Sequence, residues 1–231
     1  KPLISVVMAT FNEPVEYITA SIKSILEQTY SNLEFIIADD SINIDTIEAI
    51  NSFAKDKRIK IIRKNYRMGF VKALNEGLKV AKGEYIARMD GDDISEKNRL
   101  YTQLKFLESH KDIDVLGGAM NIINENENII SKRNYPINNI WLLIWTIFRN
   151  PLAHPSVMFR RKIIDLNFFY DESFCKAEDL EFWLRLRKNN FKITNISQVL
   201  LNYRVVGDLS TKRIGENFKF NYKARIKNLS I

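Results

Sequence analysis

The chain has 231 residues, 45% of them hydrophobic, which is enough to bury the core of one large domain. Lysine and arginine exceed aspartate and glutamate by 35 − 28 = 7, a balance that favours anionic partners. The basic residues are dispersed rather than interleaved with aromatic residues in a stripe, which argues against nucleic-acid binding. The longest apolar run, residues 141–148, is far shorter than the roughly 20 residues that a membrane-spanning helix needs.

The sequence shows no signal or transit peptide ahead of its first apolar run. Its single cysteine, Cys175, has no partner in the chain for a disulfide, which agrees with a reducing compartment. We therefore expect a cytoplasmic protein.

The first ninety residues alternate short apolar runs with polar loops and amphipathic stretches, which predicts βαβα units around a parallel sheet. Pro14 suits the first turn of the first helix, and Gly83 suits the C-terminal cap of the third. The predicted elements are strands at 3–8, 33–38, 58–62 and 84–89 and helices at 14–28, 45–54 and 70–81.

The pattern changes after a predicted helix at 95–109. Residues 115–123 and 129–133 flank an Asn/Glu-rich turn and predict a hairpin, so a parallel half gives way to a mixed half. No linker or repeat divides the chain, and we expect one domain. It consists of a first half at residues 1–93, a second half at residues 94–205 and a basic tail at 206–231. Further elements are predicted as a strand at 155–159, a helix at 178–188 and a strand at 199–205.

Three aspartates, Asp90, Asp92 and Asp93, follow the fourth predicted strand, with Gly91 allowing a tight turn among them. Carboxylates crowded at the end of a buried strand are stabilised by a hard divalent cation such as Mg²⁺ or Mn²⁺. The alternative is a solvated loop that caps the next helix, for which Ser95 and Glu96 would suffice.

Two other acidic pairs are candidates for chemistry. Asp39 and Asp40 follow the second strand, where a carboxylate can accept the imino N–H of uracil or close a local turn with Ser41. Glu178 and Asp179 begin a predicted helix, where they either serve as a general base or simply favour the helix N-terminus. Since the carboxyl ends of parallel strands share one edge of the sheet, we expect the strand-end aspartates to converge.

Four segments together resemble the family 2 glycosyltransferases. They are Ser5-Val-Val-Met-Ala-Thr-Phe-Asn12, Ile37-Ala-Asp-Asp-Ser41, Gly83-Glu-Tyr-Ile-Ala-Arg-Met-Asp-Gly-Asp-Asp93 and Ala177-Glu-Asp-Leu-Glu-Phe-Trp183. The resemblance runs from about residue 3 to about residue 203. It implies a GT-A type fold, a Rossmann-like, mostly parallel sheet flanked by helices, with a nucleotide-binding half at 1–93 and an acceptor half at 94–205.

The resemblance also implies roles for single residues. Ala9, Phe11 and Asn12 would contact the nucleoside, Asp40 would pair with uracil, and Asp179 would be the general base. Asp90, Asp92 and Asp93 form the DxD-type signature, with Asp92 and Asp93 assigned to Mn²⁺ or Mg²⁺ and Asp90 to the nucleotide. The family often carries a tyrosine and a DGS loop where this chain has Phe11 and Ser41. The QxxRW element of processive synthases is absent from the sequence, which favours single addition.

Four residues are additional candidates for contacts with the acceptor or the diphosphate: Glu178, His154, Trp183 and Arg204. For His154 the alternative is a structural histidine before a strand, and for Arg204 an ordinary surface arginine. The basic tail could lie on an anionic membrane that carries a lipid-linked acceptor, or it could be a solvated terminal helix.

The resemblance thus implies an inverting transfer of a sugar from a UDP-sugar to a hydroxyl of a glycan or polyprenyl-linked glycan in bacterial surface polysaccharide synthesis. The alternatives are a sugar nucleotidyltransferase, for which the chain lacks an opening glycine-rich triphosphate loop, and an inactive nucleotide-binding module of the same fold.

Overall fold

A computed structural model describes residues 1–207 and 214–228 of the chain. Within these residues it contains nine strands, eight α-helices and one short 3₁₀ helix at His154–Ser156. The strands are β1 (Ile4–Thr10), β2 (Leu33–Asp39), β3 (Ile59–Ile62), β4 (Tyr85–Asp90), β5 (Ile94–Ser95), β6 (Val115–Ile123), β7 (Ile129–Arg133), β8 (Met158–Arg160) and β9 (Ile193–Arg204). The helices are α1 (Val15–Leu26), α2 (Ile44–Ser52), α3 (Phe70–Val80), α4 (Arg99–Ser109), α5 (Asn139–Phe148), α6 (Lys162–Asp165), α7 (Glu178–Lys188) and α8 (Ile214–Asn228).

All nine described strands join one sheet in the order β3-β2-β1-β4-β8-β6-β9-β5, with β7 paired to β6. β1, β2, β3 and β4 are parallel, and β8 is antiparallel to both of its neighbours. β6 is parallel to β9, while the β6–β7 hairpin is antiparallel. The predicted change from a parallel half to a mixed half is confirmed.

Two apolar cores cover the two faces of the sheet. One contains the buried sides of α1 and α4, including Ile18, Ile22 and Leu104. The other contains the buried sides of α3 and α7, including Leu74 and Phe182. Because both faces of β1, β2 and β4 are covered, these strands are nearly continuous apolar runs, as expected for buried parallel strands.

Gly83 has a different role from the predicted helix cap. α3 ends at Val80, Ala81 is its C-terminal cap with φ −63°, and Gly83 is not among the residues with positive φ. A Cβ at Gly83 would lie 2.5 Å from the backbone nitrogen of Ser5. The glycine is therefore required because the chain passes close to β1, not because a left-handed turn ends the helix.

Several elements differ from the sequence-based expectations. The apolar run 141–148 lies in α5, a helix that was not predicted from the sequence. β9 begins at Ile193, earlier than predicted, and the short β5 and α6 were not predicted. α4 starts at Arg99 because Ser95 belongs to β5.

The end of the chain is described only in part. α8 covers residues 214–228, and its Ala224 packs with Phe174, Leu180 and Leu184 of the segment around α7. The other residues of the predicted basic tail, 208–213 and 229–231, lie outside the described residues. Among the helices of the described ranges, none has both the length and the apolar character needed to cross a membrane.

Candidate active site

A cavity of about 810 Å³ opens at the carboxyl ends of β1, β2 and β4. The register of the parallel strands places Ala9 beside both Ala38 and Asp90, so the loops that follow these strands meet at this edge. The predicted convergence of acidic side chains is therefore present. Residues lining the cavity include Ala9, Phe11, Glu13, Asp40, Arg67, Arg88, Asp90, Asp92, Arg133, Tyr135, Asn150, His154, Cys175, Glu178 and Asp179.

Asp90, Asp92 and Asp93 form a compact acidic cluster in which one carboxylate oxygen of each lies within 4.8 Å of the others. Burial, followed by the charge of Asp90, raises the pKa of Asp92 to about 6. Burial and both neighbouring carboxylates raise the pKa of Asp93 well above its ordinary value. Asp93 Oδ1 accepts the backbone N–H of Arg204 at 2.9 Å, while its Oδ2 is buried with no hydrogen-bond partner.

This donor set fits a hard divalent cation. Three carboxylates supply the oxygen ligands that Mg²⁺ and Mn²⁺ prefer, and the buried Oδ2 of Asp93 lacks the partner that a buried oxygen requires. The turn is compact as well, since a Cβ at Gly91 would lie 3.1 Å from the carboxyl carbon of Glu13.

Arg88 is the cationic counterpart of the cluster. Its side chain is almost completely buried, forms an ion pair with Asp90, and lies 5.4 Å from the ring centroid of Phe70. Its Nε and Nη1 atoms have no hydrogen-bond partner, although the residue lines the cavity. The positive charge of Arg88 therefore lies in the cavity wall beside the acidic cluster, where it favours an anionic ligand.

One end of the cavity combines an acidic, an aromatic and a basic side chain. Asp40 accepts the backbone N–H groups of Met68 at 2.7 Å and Gly69 at 2.8 Å, so it also anchors the loop before α3. The guanidinium of Arg67 lies 4.1 Å from the ring centroid of Phe11, which is 37% exposed. Asp39 instead accepts the N–H of Ser41 and pairs with Arg63. Asp39 therefore closes the local turn with Ser41, whereas Asp40 lines the cavity.

Asn12 supports the wall of the cavity without lining it. It adopts a left-handed backbone conformation with φ 59°, and its Oδ1 accepts the backbone N–H groups of Ile42 and Asn43, both at 2.9 Å. Glu13, which the sequence reading did not select, accepts the N–H of Phe11 at 2.8 Å and a hydrogen bond from Thr10. These bonds fix the loop after β1.

Glu178 and Asp179 line the same cavity at the start of α7. Burial, followed by the Asp179 carboxylate, raises the pKa of Glu178 to about 8, and burial raises the pKa of Asp179. Asp179 accepts the backbone N–H of Leu180 at 2.7 Å and a hydrogen bond from the side chain of Asn150. The preceding residue, Ala177, has φ 89°, a left-handed conformation that costs free energy in a residue with a Cβ.

His154 lines the cavity, but its imidazole is built into the wall. Its Nε2 lies 2.8 Å from the hydroxyl of Tyr170, and its Nδ1 lies 3.9 Å from a carboxylate oxygen of Glu178. Burial, with a smaller contribution from the Arg88 cation, lowers the pKa of His154 well below its ordinary value. His154 is therefore a neutral side chain that packs against the acidic pair.

Two candidate contact residues are not on the cavity surface. Trp183 is 0% exposed in the core, where its ring packs against His154 and Phe182, so direct contact of its side chain with an acceptor is not supported. Arg204 is buried rather than a surface arginine, and it does not line the cavity. Its buried guanidinium donates to the backbone oxygen of Asp92 at 2.9 Å and pairs with Glu127, so it holds the acidic cluster from behind.

Comparisons with known proteins agree with this geometry. The model of the family "Glycosyl transferase family 2" matches residues 5–169. The chain belongs to glycosyl transferase family 2. An uncharacterized glycosyltransferase of Methanocaldococcus jannaschii is 37% identical over 98% of this chain and 75% of its own length. WfaP of Escherichia coli, named a UDP-Glc:alpha-D-GlcNAc-diphosphoundecaprenol beta-1,3-glucosyltransferase, is 32% identical over 93% of this chain and 82% of its own length.

The fold agrees with a solved structure as well. Residues 1–349 of S. aureus TarS, in complex with UDP-GlcNAc, match 97% of this chain with a TM-score of 0.74 and 21% sequence identity. The match covers 66% of the length of that TarS chain. The predicted GT-A type fold is confirmed, and the protein is a glycosyltransferase.

Arg88 and Arg67 were missed by sequence reasoning for different reasons. Arg88 carries a usable signal, because a charged residue inside the apolar strand 85–89 needs a buried partner. Arg67 lies in a loop with several other polar residues, and no local pattern distinguishes it. In this family 2 transferase the structure brings Ala9, Phe11, Asp40, Asp90, Asp92, His154, Glu178 and Asp179 to one cavity, and it places Asn12, Asp93, Trp183 and Arg204 behind it.

Proposed function

We propose that this glycosyltransferase moves a sugar from a UDP-sugar to a hydroxyl of a glycan or polyprenyl-linked glycan in surface polysaccharide synthesis, with inversion at the anomeric carbon. One observation carries the proposal. A single cavity contains an acidic cluster suited to a metal and a diphosphate, and a separate buried acidic pair suited to proton transfer. A sugar transfer to a hydroxyl needs both of these.

The nucleoside end is proposed for the pocket around Asp40, Phe11 and Arg67. Each carboxylate oxygen has two lone pairs, so Asp40 can accept the imino N–H of uracil in addition to the two backbone donors it already serves. The exposed part of the Phe11 ring offers an apolar surface for a base. UDP-linked sugars are the donor in the name of WfaP and the ligand in the TarS complex.

The acidic cluster is proposed to hold Mn²⁺ or Mg²⁺ through Asp92, which lines the cavity, and Asp93, which lies directly behind it, with Asp90 facing the nucleotide. When bound, such an ion stabilises negative charge on a departing diphosphate. Arg88 supports the same region, because its positive charge lies in the cavity wall beside Asp90, where it would offset the charge of a diphosphate. Arg204 keeps the loop that carries Asp92 and Asp93 in place.

Asp179 is proposed as the general base. It takes the proton of the acceptor hydroxyl, and the hydroxyl oxygen forms a bond to the anomeric carbon from the side opposite the diphosphate. The bond from that carbon to the diphosphate oxygen breaks, and its electron pair leaves with UDP, so the configuration inverts. Burial raises the pKa of Asp179, which makes its carboxylate a stronger base than an exposed aspartate. The bond from Asn150 fixes its orientation.

Calorimetric titration of UDP into the protein, first with Mn²⁺ and then with EDTA, tests the proposal. We expect UDP to bind with Mn²⁺ and to bind at least about tenfold more weakly with EDTA, since the acidic cluster then repels the diphosphate. Asp92→Asn should remove the difference in UDP affinity between Mn²⁺ and EDTA. Glu16→Gln on the exposed face of α1 should leave that difference intact.

Activity assays on the same protein distinguish the alternative functions. Formation of a UDP-sugar from UTP and a sugar phosphate would show a nucleotidyltransferase, and UDP binding without turnover of any UDP-sugar would show an inactive binding module. Equal UDP affinity with Mn²⁺ and with EDTA would contradict the proposed metal role.

A further inference from the structure

Helix α5 has an unusual surface for the exterior of a protein. None of its ten residues, Asn139–Phe148, is charged, and Leu142 and Thr146 are its buried positions. Ile140 is 69% exposed, Trp141 62% and Phe148 75%. Leu143, Ile144 and Ile147 are exposed between them. A contiguous apolar surface of this kind marks an interaction site, because scattered single residues would not form one.

The surroundings of α5 are cationic. Arg149 follows its last residue, and Arg225 of α8 donates to the backbone oxygen of Thr146 at 3.1 Å. Arg187 lines a shallow depression together with Asn139 at the other end of the helix. The acidic residue of that depression, Asp112, is paired with Lys192 at 3.1 Å.

α8 extends this surface. It packs against α7 through Ala224, while Tyr222 and Ile226 are exposed and Lys219 and Lys223 lie among them. Apolar side chains surrounded by arginine and lysine are thus contributed by two helices that touch each other at Thr146.

We propose that α5 and the adjoining face of α8 dock this enzyme on an anionic lipid surface, with α5 lying in the plane of the membrane. A ten-residue helix is roughly 15 Å long, too short to span a bilayer, and its exposed tryptophan and aliphatic residues suit the interface. The cationic rim complements acidic head groups. The same cationic rim disfavours the docking of a second copy of this chain, because two such surfaces would bring like charges together.

The position of α5 connects docking with the active site. Asn150, two residues after α5, bonds to Asp179, and Arg133 and Tyr135 on the segment before α5 line the cavity. Docking through α5 therefore places the acidic pair beside the membrane, where a polyprenyl-linked acceptor would be presented. The inference extends the proposed function, yet binding to lipid needs neither donor nor acceptor.

Co-sedimentation with vesicles tests the proposal on the full chain. Vesicles of phosphatidylcholine alone are compared with vesicles of equal parts phosphatidylcholine and phosphatidylglycerol. We expect sedimentation with the anionic vesicles and loss of at least about tenfold in affinity for Trp141→Ser combined with Phe148→Ser. The matched control combines Ile44→Ser with Leu166→Ser, which removes two exposed apolar side chains elsewhere and should keep wild-type binding. Arg149→Glu should weaken binding most at low salt.

Far-ultraviolet circular dichroism and UDP titration of each variant show that it is folded and that its nucleotide site is intact. Failure of wild-type protein to bind anionic vesicles would overturn the proposal, as would equal binding by the Trp141→Ser, Phe148→Ser protein. A dimer that this double variant converts to a monomer, with no lipid binding, would instead assign the surface to a second copy. Lipid binding without UDP binding would refute the proposed function and leave the docking surface standing.

Discussion

At the scale of single residues, the active site depends on charges that are held away from water. Glu178 and Asp179 lie side by side in a cavity wall, so each opposes ionisation of the other. The Arg88 cation is close enough to influence both carboxylates as well as the acidic cluster. A change in one of these groups therefore alters the ionisation of the others.

Glu178→Gln should change how stability depends on pH. The folded-state pKa of Glu178, about 8, lies above its unfolded value near 4.5, so folding favours the protonated form. The stability that this group contributes is present below pH 4.5 and is lost as the pH rises through about 8. Relative to Glu178→Gln, the wild-type free energy of unfolding should fall by on the order of 4 kcal/mol between pH 5 and 9.

Urea unfolding of both proteins at several pH values measures this difference, with Glu16→Gln, an exposed carboxylate on α1, as the control. Parallel curves for wild type and Glu178→Gln across the whole range would contradict the assignment of a raised pKa to Glu178.

Sequence reasoning predicted the carboxylates of the site better than their partners. Asp40, Asp90 and Asp92 follow parallel strands, and the position of a strand end determines where such residues meet. The buried positions of Arg204 and Trp183 were not predicted, because their surroundings are set by distant segments. These are residues 92–93 and 124–127 for Arg204 and the core around His154 for Trp183. Local patterns do not contain that information.

At the scale of elements, the contact between β1 and the start of β4 holds the parallel half of the sheet together. Gly83 donates its N–H to the hydroxyl of Ser5 at 2.7 Å, and Ser5 in turn donates to Glu34 of β2 at 2.5 Å. The absence of a side chain at Gly83 allows the two backbones to approach this closely.

Gly83→Ala should destabilise the protein by about 1–3 kcal/mol, because the new Cβ would lie 2.5 Å from a backbone nitrogen that cannot move without disturbing β1. Thermal unfolding measures the effect. Lys82→Ala, at the exposed neighbouring position, should change stability by less than about 0.5 kcal/mol. An unaltered melting temperature for Gly83→Ala would show that the segment relaxes freely.

The helices and strands that could be predicted were those with a clear periodicity of hydrophobic residues and an ordinary length. β1 to β4 and the helices between them meet that condition, as do the β6–β7 hairpin and α7. β5 has two residues and α6 has four, too few for a periodic signal. α5 was missed because its run of apolar residues has exposed as well as buried positions, so the usual division into a polar and an apolar face is absent.

At the scale of the whole molecule, the two parts of the sheet contribute different groups to the cavity. The parallel half supplies the acidic cluster and the pocket around Asp40 and Phe11, while α7 supplies the acidic pair and the segment after α5 supplies Asn150, which bonds to it. Strand order joins them, since β8 lies between β4 and β6 and carries the 3₁₀ segment with His154 to the cavity. That order is a tertiary property, and the linear sequence did not predict it.

The most direct test of the account is the turnover of a UDP-sugar by Asp179→Asn, measured beside its affinity for UDP. Replacing the carboxylate by an amide keeps the size of the side chain but removes its ability to accept a proton. We predict that turnover falls by about 10²- to 10⁴-fold while the dissociation constant for UDP changes by less than about threefold. Turnover at the wild-type rate would contradict the assignment of Asp179 as the base. It would also contradict the proposal that the acidic pair transfers the proton while the acidic cluster serves the diphosphate.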